Sequence, residues 1–302
     1  MIVVFGSINI DLVFAVPHIP QPGETVLCPE ATIQPGGKGA NQAVAAARDG
    51  ARVAMVGAVG RDALAEDALA LLRQAGADLT RIARTTAGTA CAAVAVDPEG
   101  NNAISVGSGA NLLVRSAQVE DALLTSATTL VLQMEVDPGE TAALIARANG
   151  RVGRIILNLA PAAALPPESL RALDLLVVNE TESTWLANFL GCEDTAPALR
   201  SALCVDIVRT LGGEGLEAAT EAGFLRLPAC TVSVVDTTAA GDCFVGVLAA
   251  ALDRGMSLRE ALERASAAAA LCCTRAGSQQ SAPTRDETDR FIQNQAAGRS
   301  GY

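Results

Sequence analysis

The sequence offers few residues that could bind a transition metal or build a disulfide framework. It contains one histidine, His18, and none of its eight cysteines forms a Cys-x-x-Cys motif. Zinc sites and thioredoxin-like redox centres need ligands at such spacings. Disulfide scaffolds are typical of much shorter secreted chains, so we expect reduced thiols in a cytoplasmic protein.

Positive charge is also scarce. Lysine and arginine number 22 against 33 aspartate and glutamate, which gives a formal net charge of −11 at pH 7. Such an acidic surface repels nucleic-acid backbones and anionic lipid. Apolar runs of about 18 residues are missing outside alanine-rich segments of helical character, and no basic segment precedes Asp11. We therefore expect no nucleic-acid partner, no membrane span and no signal peptide.

Two common nucleotide-binding motifs are missing. No GxGxxG motif follows the first apolar run, and in the glycine loop of residues 35–42 Lys38 is followed by Gly39 instead of Ser or Thr. These absences argue against a nicotinamide-dependent oxidoreductase and a Walker A loop. The glycines of this loop still let backbone approach a ligand closely, and Lys38 and Asn41 offer donors for hydroxyl groups. Taken alone, a flexible turn before a helix is the simpler interpretation.

Short β-branched runs alternate along the chain with Ala- and Leu-rich segments of helical periodicity. The runs lie at residues 2–5, 53–56, 129–132, 154–157, 175–178 and 205–210, and the helical segments include 42–48, 63–75 and 139–148. This alternation predicts a mainly parallel sheet with helices on both faces, an α/β/α sandwich of three layers. Ligands of such sheets gather at the carboxyl ends of the strands.

Two stretches interrupt the alternation. Residues of about 12–34 contain four prolines, and residues of about 90–107 read as two strands around a turn at 97–101. Neither is long enough to form its own core, so we predict a single α/β domain over residues 1–302 with a small β-sheet lid. The lid would expose Val94, Val96, Ile104 and Val106, which favours a homodimer through this sheet.

Residues 234–244 predict a strand, a turn of small residues and a helix. Amides at the start of that helix would favour an anion such as a transferring phosphoryl group. The carboxylate of Asp242 beside them suits a base that accepts a proton from an attacking hydroxyl. A simple helix cap is the alternative interpretation of Asp242.

Four further polar residues follow predicted strands: Asp11, Glu135, Asn179 and Glu182. Carboxylates at that edge of a sheet can accept hydrogens from sugar hydroxyls or hold Mg²⁺ through water. Each one alone is a common loop acid or helix cap. Their convergence on one edge of the sheet predicts a site.

These motifs together resemble the ribokinase family of carbohydrate kinases, the PfkB group, over nearly the whole chain. The matching segments are residues 6–11, 36–42, 179–182, 210–215, 236–242 and 274–277. The glycine loop and Gly241-Asp242, found together in one chain, are highly specific for this family. The resemblance implies a ribokinase-like fold with a lid, and ATP-dependent phosphorylation of the primary 5-hydroxyl of a pentose such as D-ribose to give ribose 5-phosphate and ADP.

The resemblance also implies a role for each matching residue. Asp242 would accept the proton, and the anion hole would be formed by the amides of Ala239, Ala240 and Gly241. The sugar would be held by Asn9, Asp11, Gly37, Lys38, Asn41, Glu135 and Asp242. ATP would be held by Asn179, Thr210, Gly212, Gly215, Gly241 and Ser266, and Glu182 would act on Mg²⁺ through water. An activating K⁺ outside the active site would bind at Asp236, Thr238, Cys272, Arg275, Gly277 and Ser281.

Two positions depart from the family pattern. Cys243 stands where threonine is common, and Ser266 where an adenine-side residue such as histidine is often found. We expect both departures to affect the affinity for the nucleotide more than the catalytic activity. Aromatic residues make up only 3% of the chain, so aliphatic packing on adenine is expected.

The substrate stays open among kinases of this fold. A fructokinase, an adenosine kinase and a pseudouridine kinase are alternatives, although the full set of hydroxyl-binding residues favours ribose. A sugar-binding protein that has lost catalysis is the non-enzymatic alternative. The intact Lys38, Gly241 and Asp242 argue against it.

Overall fold

A computed structural model describes residues 1–299; the last three residues of the domain predicted over 1–302 lie outside this range. Within it the strands are β1 (Ile2–Phe5), β2 (Asn9–Ala15), β3 (Ala31–Gly36), β4 (Val53–Val59), β5 (Asp78–Arg84), β6 (Ala90–Val96), β7 (Asn102–Gly107), β8 (Thr129–Leu132), β9 (Arg154–Asn158), β10 (Leu175–Val178), β11 (Asp206–Thr210), β12 (Leu216–Thr220) and β13 (Gly223–Leu227).

The helices lie mostly between strands of one sheet. They are α1 (Lys38–Arg48), α2 (Leu64–Gln74), α3 (Pro138–Ala148), α4 (Pro167–Arg171), α5 (Glu180–Leu190), α6 (Ala196–Leu203), α7 (Ala240–Asp253), α8 (Leu258–Cys272) and α9 (Arg285–Arg299). Short 3₁₀ segments occupy Gly109–Leu113, Ser116–Gln118, Asp121–Leu123, Gly212–Glu214 and Gln279–Ser281.

The described residues form one large sheet of nine strands, in the order β13-β12-β11-β10-β9-β8-β1-β4-β5. In this order, the seven strands from β11 through β1 to β5 pair in parallel. Strands β12 and β13 add two antiparallel strands at the edge beside β11. The central strands are apolar throughout because helices cover both faces. Along β1, Ile2 and Val4 pack with α1, α2, α7 and α8, whereas Val3 and Phe5 pack with α3 to α6. The predicted α/β/α sandwich is confirmed.

A separate sheet has the order β3-β2-β6-β7, and we call it the lid sheet. Its β6 and β7 pair antiparallel around a turn in which the amide of Asn101 donates to Asp97 Oδ1 (2.8 Å). Val94 lies opposite Ile104 in this pair, and the Ile104 side chain is 57% exposed. The lid sheet therefore carries apolar side chains on its surface, but Val94 and Val96, which were predicted to be exposed, are half-buried.

Two local expectations were wrong. Asp11 does not follow a strand of the large sheet, because the chain crosses to the lid sheet at Asn9 and Asp11 lies within β2. Residues 234 and 235 do not form a strand. Val235 is 65% exposed, and the amides of Val235 and Asp236 donate to the carbonyl of Cys273 at 2.8 and 3.2 Å, at the end of α8. The β-branched residues there belong to a loop that a helix end holds in place.

Helices α1 and α7 pack unusually closely. A Cβ atom placed on Gly246 of α7 would lie 2.4 Å from the carbonyl oxygen of Gln42 and 2.8 Å from Ala45 Cβ. Any larger side chain at residue 246 would force the two helices apart. Glycine at residue 246 therefore allows the close approach of α1 and α7.

Among residues 1–299, no helix combines the length and apolar character needed to cross a membrane.

Candidate active site

Asp242 lies in the first turn of α7 and is only 6% exposed. Ala239, which precedes the helix, adopts a left-handed conformation with φ 58°, which is costly for a residue with a Cβ atom. First-turn amides lack acceptors within their own helix. The amide of Ala240 nevertheless donates to the Thr237 carbonyl (3.2 Å), so one of the three amides predicted to form the anion hole already has an acceptor.

The glycine loop reaches Asp242 through two consecutive amide side chains of α1. Asn41 Nδ2 donates to Asp242 Oδ2 (2.9 Å), and Gln42 Nε2 donates to Asp242 Oδ1 (3.0 Å). The other polar atom of Asn41, Oδ1, is buried and has no hydrogen-bond partner among the described residues. A buried acceptor without a partner is uncommon in proteins, which makes Asn41 Oδ1 a candidate to accept a hydrogen from a bound ligand.

Glu135 holds the start of α1. Its Oε2 accepts hydrogen bonds from Ser7 Oγ (2.6 Å) and from the amide of Lys38 (3.0 Å), and Ser7 Oγ accepts one from the amide of Gly39 (3.1 Å). The helix begins after Gly37, which has no side chain to cap it. Glu135 supplies that cap from another part of the chain, and its carboxylate thereby lies against the backbone of Lys38.

Asn9 and Asp11 lie beside the same loop. Asn111 Nδ2 donates to Asn9 Oδ1 (2.7 Å), and Asn111 Oδ1 accepts from the amide of Ile8 (3.0 Å). A Cβ atom on Gly36 would lie 2.1 Å from Asp11 Oδ2, so only glycine fits against this carboxylate. Burial, and then the charges of Glu135 and Asp242, raise the pKa of Asp11 to about 6.

Lys38 is the only lysine of the chain, and its side chain lines a polar cavity of about 580 Å³. The negative charge of Asp242 raises the pKa of Lys38 most, with smaller contributions from Glu135 and Glu182, against a lowering by burial. The ammonium group is therefore charged. Lys38 is the one cationic side chain among the described residues that line this cavity, and such a group can stabilise the charge of phosphoryl oxygens against the nearby carboxylates.

Asn179 and Glu182 line this polar cavity as well. They form a reciprocal cap of α5: the amide of Glu182 donates to Asn179 Oδ1 (2.8 Å), and the amide of Asn179 donates to Glu182 Oε2 (2.9 Å). Burial is the main cause of the raised pKa of Glu182. The cap leaves Asn179 Nδ2 and Glu182 Oε1 for a ligand.

A second cavity of about 870 Å³ adjoins the first. Its walls are mostly apolar and include Leu216, Val232, Val234 and Phe244, and the predicted nucleotide residues Thr210, Gly212, Gly215, Gly241 and Ser266 also line it. The two cavities share Thr210, Thr237, Ala240 and Gly241. A ligand with an apolar base and a phosphate chain would therefore pass the start of α7.

The residues predicted to bind K⁺ lie in connected loops. Asp236 Oδ1 accepts from the amide of Thr238 and Oδ2 from the amide of Gly277, both at 2.8 Å. The hydroxyl of Ser281 donates to the carbonyl of Ser278 (2.6 Å) and lies 3.0 Å from Cys272 Sγ. The amide of Arg275 donates to the carbonyl of Cys272 (3.1 Å). In the part of the chain that the structure describes, no three His, Cys, Asp or Glu side chains form a metal-binding group.

The structure thus brings the predicted nucleotide residues, Lys38, Glu182 and Asp242 to two adjoining cavities, and the predicted K⁺ residues to a neighbouring loop cluster. The other predicted sugar residues do not line either cavity: they are Asn9, Asp11, Gly37, Asn41 and Glu135. Asn41 and Glu135 are joined to the polar cavity by hydrogen bonds to Asp242 and to the amide of Lys38. Sequence reasoning assigned no role to Ser7, Gln42, Asn111 or Gln133. Gln133 directly follows β8, as Glu135 does two residues later, so the rule about strand ends could have found it. Nothing in the local pattern around Asn111 marks it as the partner of Asn9.

A buried acid beside helix amides is an arrangement compatible with phosphoryl transfer to a hydroxyl, and the adjoining apolar cavity suits a nucleobase. The fold and the site therefore define a nucleotide-dependent kinase. Residues 1–285 match the model of the pfkB family carbohydrate kinases. The chain belongs to this family, and it is an ATP-dependent carbohydrate kinase.

Its relatives agree along almost their full lengths. The chain is 35% identical to the ribokinase of Haemophilus influenzae, over 96% of this chain and 98% of that protein. The crystal structure of ribokinase from Thermotoga maritima superposes with a TM-score of 0.88 at 34% identity, covering 97% of this chain and 99% of the other. The Arabidopsis thaliana ribokinase complexed with ribose and ATP superposes with a TM-score of 0.85 at 28% identity, covering 96% and 98%.

Proposed function

We propose that the protein transfers the γ-phosphoryl group of ATP to the primary 5-hydroxyl of D-ribose, giving ribose 5-phosphate and ADP. The observation that carries the proposal is the position of Asp242, beside the start of α7 where the polar and apolar cavities meet. The likeness to ribokinases, one of them solved with ribose and ATP, supports the choice of substrates.

In this reaction the sugar oxygen forms a bond to the γ-phosphorus as the bond to the ADP oxygen breaks. The hydroxyl proton passes to Asp242, while Lys38 and the first-turn amides of α7 stabilise charge on the phosphoryl oxygens. Glu135, Asn9, Asp11 and the free Oδ1 of Asn41 orient the sugar hydroxyls. The lid sheet would close over the sugar and exclude water, which could otherwise accept the phosphoryl group.

Two cations complete the proposal. Glu182, with one carboxylate oxygen outside its cap, would hold Mg²⁺ through water, and this ion would neutralise phosphate charge. The carboxylate of Asp236, the hydroxyl of Ser281 and nearby backbone carbonyls offer the oxygen ligands that K⁺ prefers. K⁺ there would steady the loop that holds Ala239 in its left-handed conformation.

The lid sheet gives a basis for the proposed homodimer. Ile33, Ile104 and Val106 are exposed on it, and pairing two such sheets would cover them. Sedimentation velocity measures the oligomeric state directly. A monomer at all protein concentrations would contradict this part of the proposal.

The pH dependence of sugar binding follows from Asp11. Sugar hydroxyls donate to the ionised carboxylate, and a pKa of about 6 means that Asp11 is protonated in a growing fraction of molecules below pH 6. We expect the KM for ribose to be nearly constant above pH 7 and to rise about tenfold per pH unit below pH 6. Steady-state assays between pH 5 and 8 measure this rise. The Asp11→Asn variant should have a higher KM that varies little with pH, and a flat KM in the wild type would exclude this role.

A substrate panel tests the proposed function. Pentoses, hexoses and nucleosides are assayed for ADP release with and without K⁺. We expect the highest kcat/KM for D-ribose, no ADP release without a sugar, and higher activity with K⁺. Preference for fructose or a nucleoside would select one of the alternative kinases, and ribose binding without ADP release would indicate a silent sugar-binding protein.

A further inference from the structure

We propose that Gln42 is a positioning residue for the catalytic base, and that Gln133 holds Gln42 in place. The inference rests on the proposed role of Asp242 as the base. Gln42 does not line either cavity. It can affect the reaction only through its hydrogen bond to Asp242 Oδ1.

The chain of hydrogen bonds has a defined direction. Gln133 Nε2 donates to Gln42 Oε1 (2.8 Å), and Gln42 Nε2 donates to Asp242 Oδ1 (3.0 Å). A carboxylate only accepts hydrogen bonds, so the nitrogen of the Gln42 amide must face Asp242 and its oxygen must face away. Gln133 supplies the donor that this oxygen needs, and it thereby stabilises the orientation of the amide that the carboxylate requires.

All three side chains are buried, Gln42 and Gln133 completely. In such surroundings a hydrogen bond to a carboxylate is strong and strictly oriented. Asn41 holds the other oxygen, Oδ2, so the carboxylate cannot rotate while both amides are present. Both donors are neutral amides. They therefore fix the base without adding a positive charge, and Lys38 supplies the positive charge near Asp242.

Gly6 leaves room for the Gln133 amide, whose Oε1 is buried and has no hydrogen-bond partner among the described residues. A Cβ atom on Gly6 would lie 1.8 Å from Gln133 Oε1 and 2.8 Å from its Cδ. Glycine at residue 6, at the end of β1, therefore leaves the space that the Gln133 amide occupies. Gly6 belongs to the first segment that resembles the kinase family, and this packing gives the glycine a function.

The Gln42→Met variant keeps the size of the side chain and removes both its donor and its acceptor. We expect kcat to fall about 10- to 100-fold, because a misplaced reacting group costs rate, while the KM for ribose changes less than about threefold. An N–H donor favours the charged carboxylate, so its loss should move the acidic limb of the kcat–pH profile about one unit to higher pH. A merely structural role would not move this limb.

Gln133→Met leaves the bond between Gln42 and Asp242 but releases the Gln42 amide. Its effect on kcat should be smaller, about 3- to 10-fold, and the double variant should lose little more than Gln42→Met alone. Gln118→Met is the matched control. Gln118 Nε2 donates to the carbonyls of Gly57 (2.9 Å) and Arg81 (3.2 Å), away from the site, so its loss should leave kcat and the pH profile unchanged.

The outcomes separate this inference from the proposed function. If Asp242→Asn is inactive while folded Gln42→Met has wild-type kcat and an unmoved acidic limb, Gln42 has no positioning role and the base remains. If Asp242→Asn keeps wild-type turnover, both ideas are wrong. Additive losses in the double variant would exclude a common chain through Gln133. Circular dichroism and thermal unfolding show whether each variant is folded.

Discussion

Replacing Asp242 with asparagine should lower kcat by about 10²- to 10⁴-fold in a protein that remains folded. Asparagine has nearly the same shape and can still accept a hydrogen bond from Asn41 or Gln42, but it cannot take the proton of the attacking hydroxyl. The KM values for sugar and ATP should change much less than kcat. Steady-state kinetics at saturating substrates measure this loss, and thermal unfolding confirms folding.

The matched control is Asp67→Asn, which removes a carboxylate from an exposed position in the first turn of α2. It should behave as the wild type. An Asp242→Asn variant with the kcat of the control would falsify the assignment of Asp242 as the base and would leave Asp242 as a helix cap only.

Replacing Lys38 with methionine should lower kcat/KM for the sugar by about 10²- to 10³-fold. The ammonium group is the only lysine charge of the chain, and it lies among the carboxylates of Asp242, Glu135 and Glu182. Without it, three negative groups would face the incoming phosphates unopposed, so phosphoryl transfer and ATP binding should both suffer.

Arg52→Met is the control for loss of a cation, because Arg52 is exposed. The fold-loss in kcat/KM of Lys38→Met should also vary less with ionic strength than the effect of an exposed charge would, since Lys38 is half-buried and partly buried charges are screened less than exposed ones. Activity within threefold of the Arg52→Met control would show that Lys38 does not stabilise the transferring group.

Much of the fold could be predicted from local pattern. The apolar runs at residues 2–5, 129–132 and 175–178 coincide with β1, β8 and β10, because strands covered on both faces need apolar residues throughout. The exposed Val234 and Val235 show the limit of this rule. Their β-branched side chains suit a strand, but the amide of Val235 donates to the carbonyl of Cys273, at a helix end about 40 residues further along the chain.

The residues of the site also fall into those that the sequence predicts and those that it does not. The residues that belong to short motifs, such as Lys38 and Asp242, could be found from the sequence and placed at one end of the sheet. The side-chain pairings that hold those motifs in place could not be predicted, because they join distant segments. Gln42 meets Asp242 across 200 residues, and Asn111 meets Asn9 across 102. No periodicity in the sequence records such pairings.

The wall of four residues shared by the two cavities has a consequence for inhibitor design. A sugar linked to adenosine through a phosphate chain could fill both spaces at once, with its phosphates passing the start of α7. Once one end is bound, the other end experiences a high effective concentration, so the linked compound should bind far more tightly than either half. The chain length that gives the strongest inhibition would then measure the separation of the two binding sites in solution.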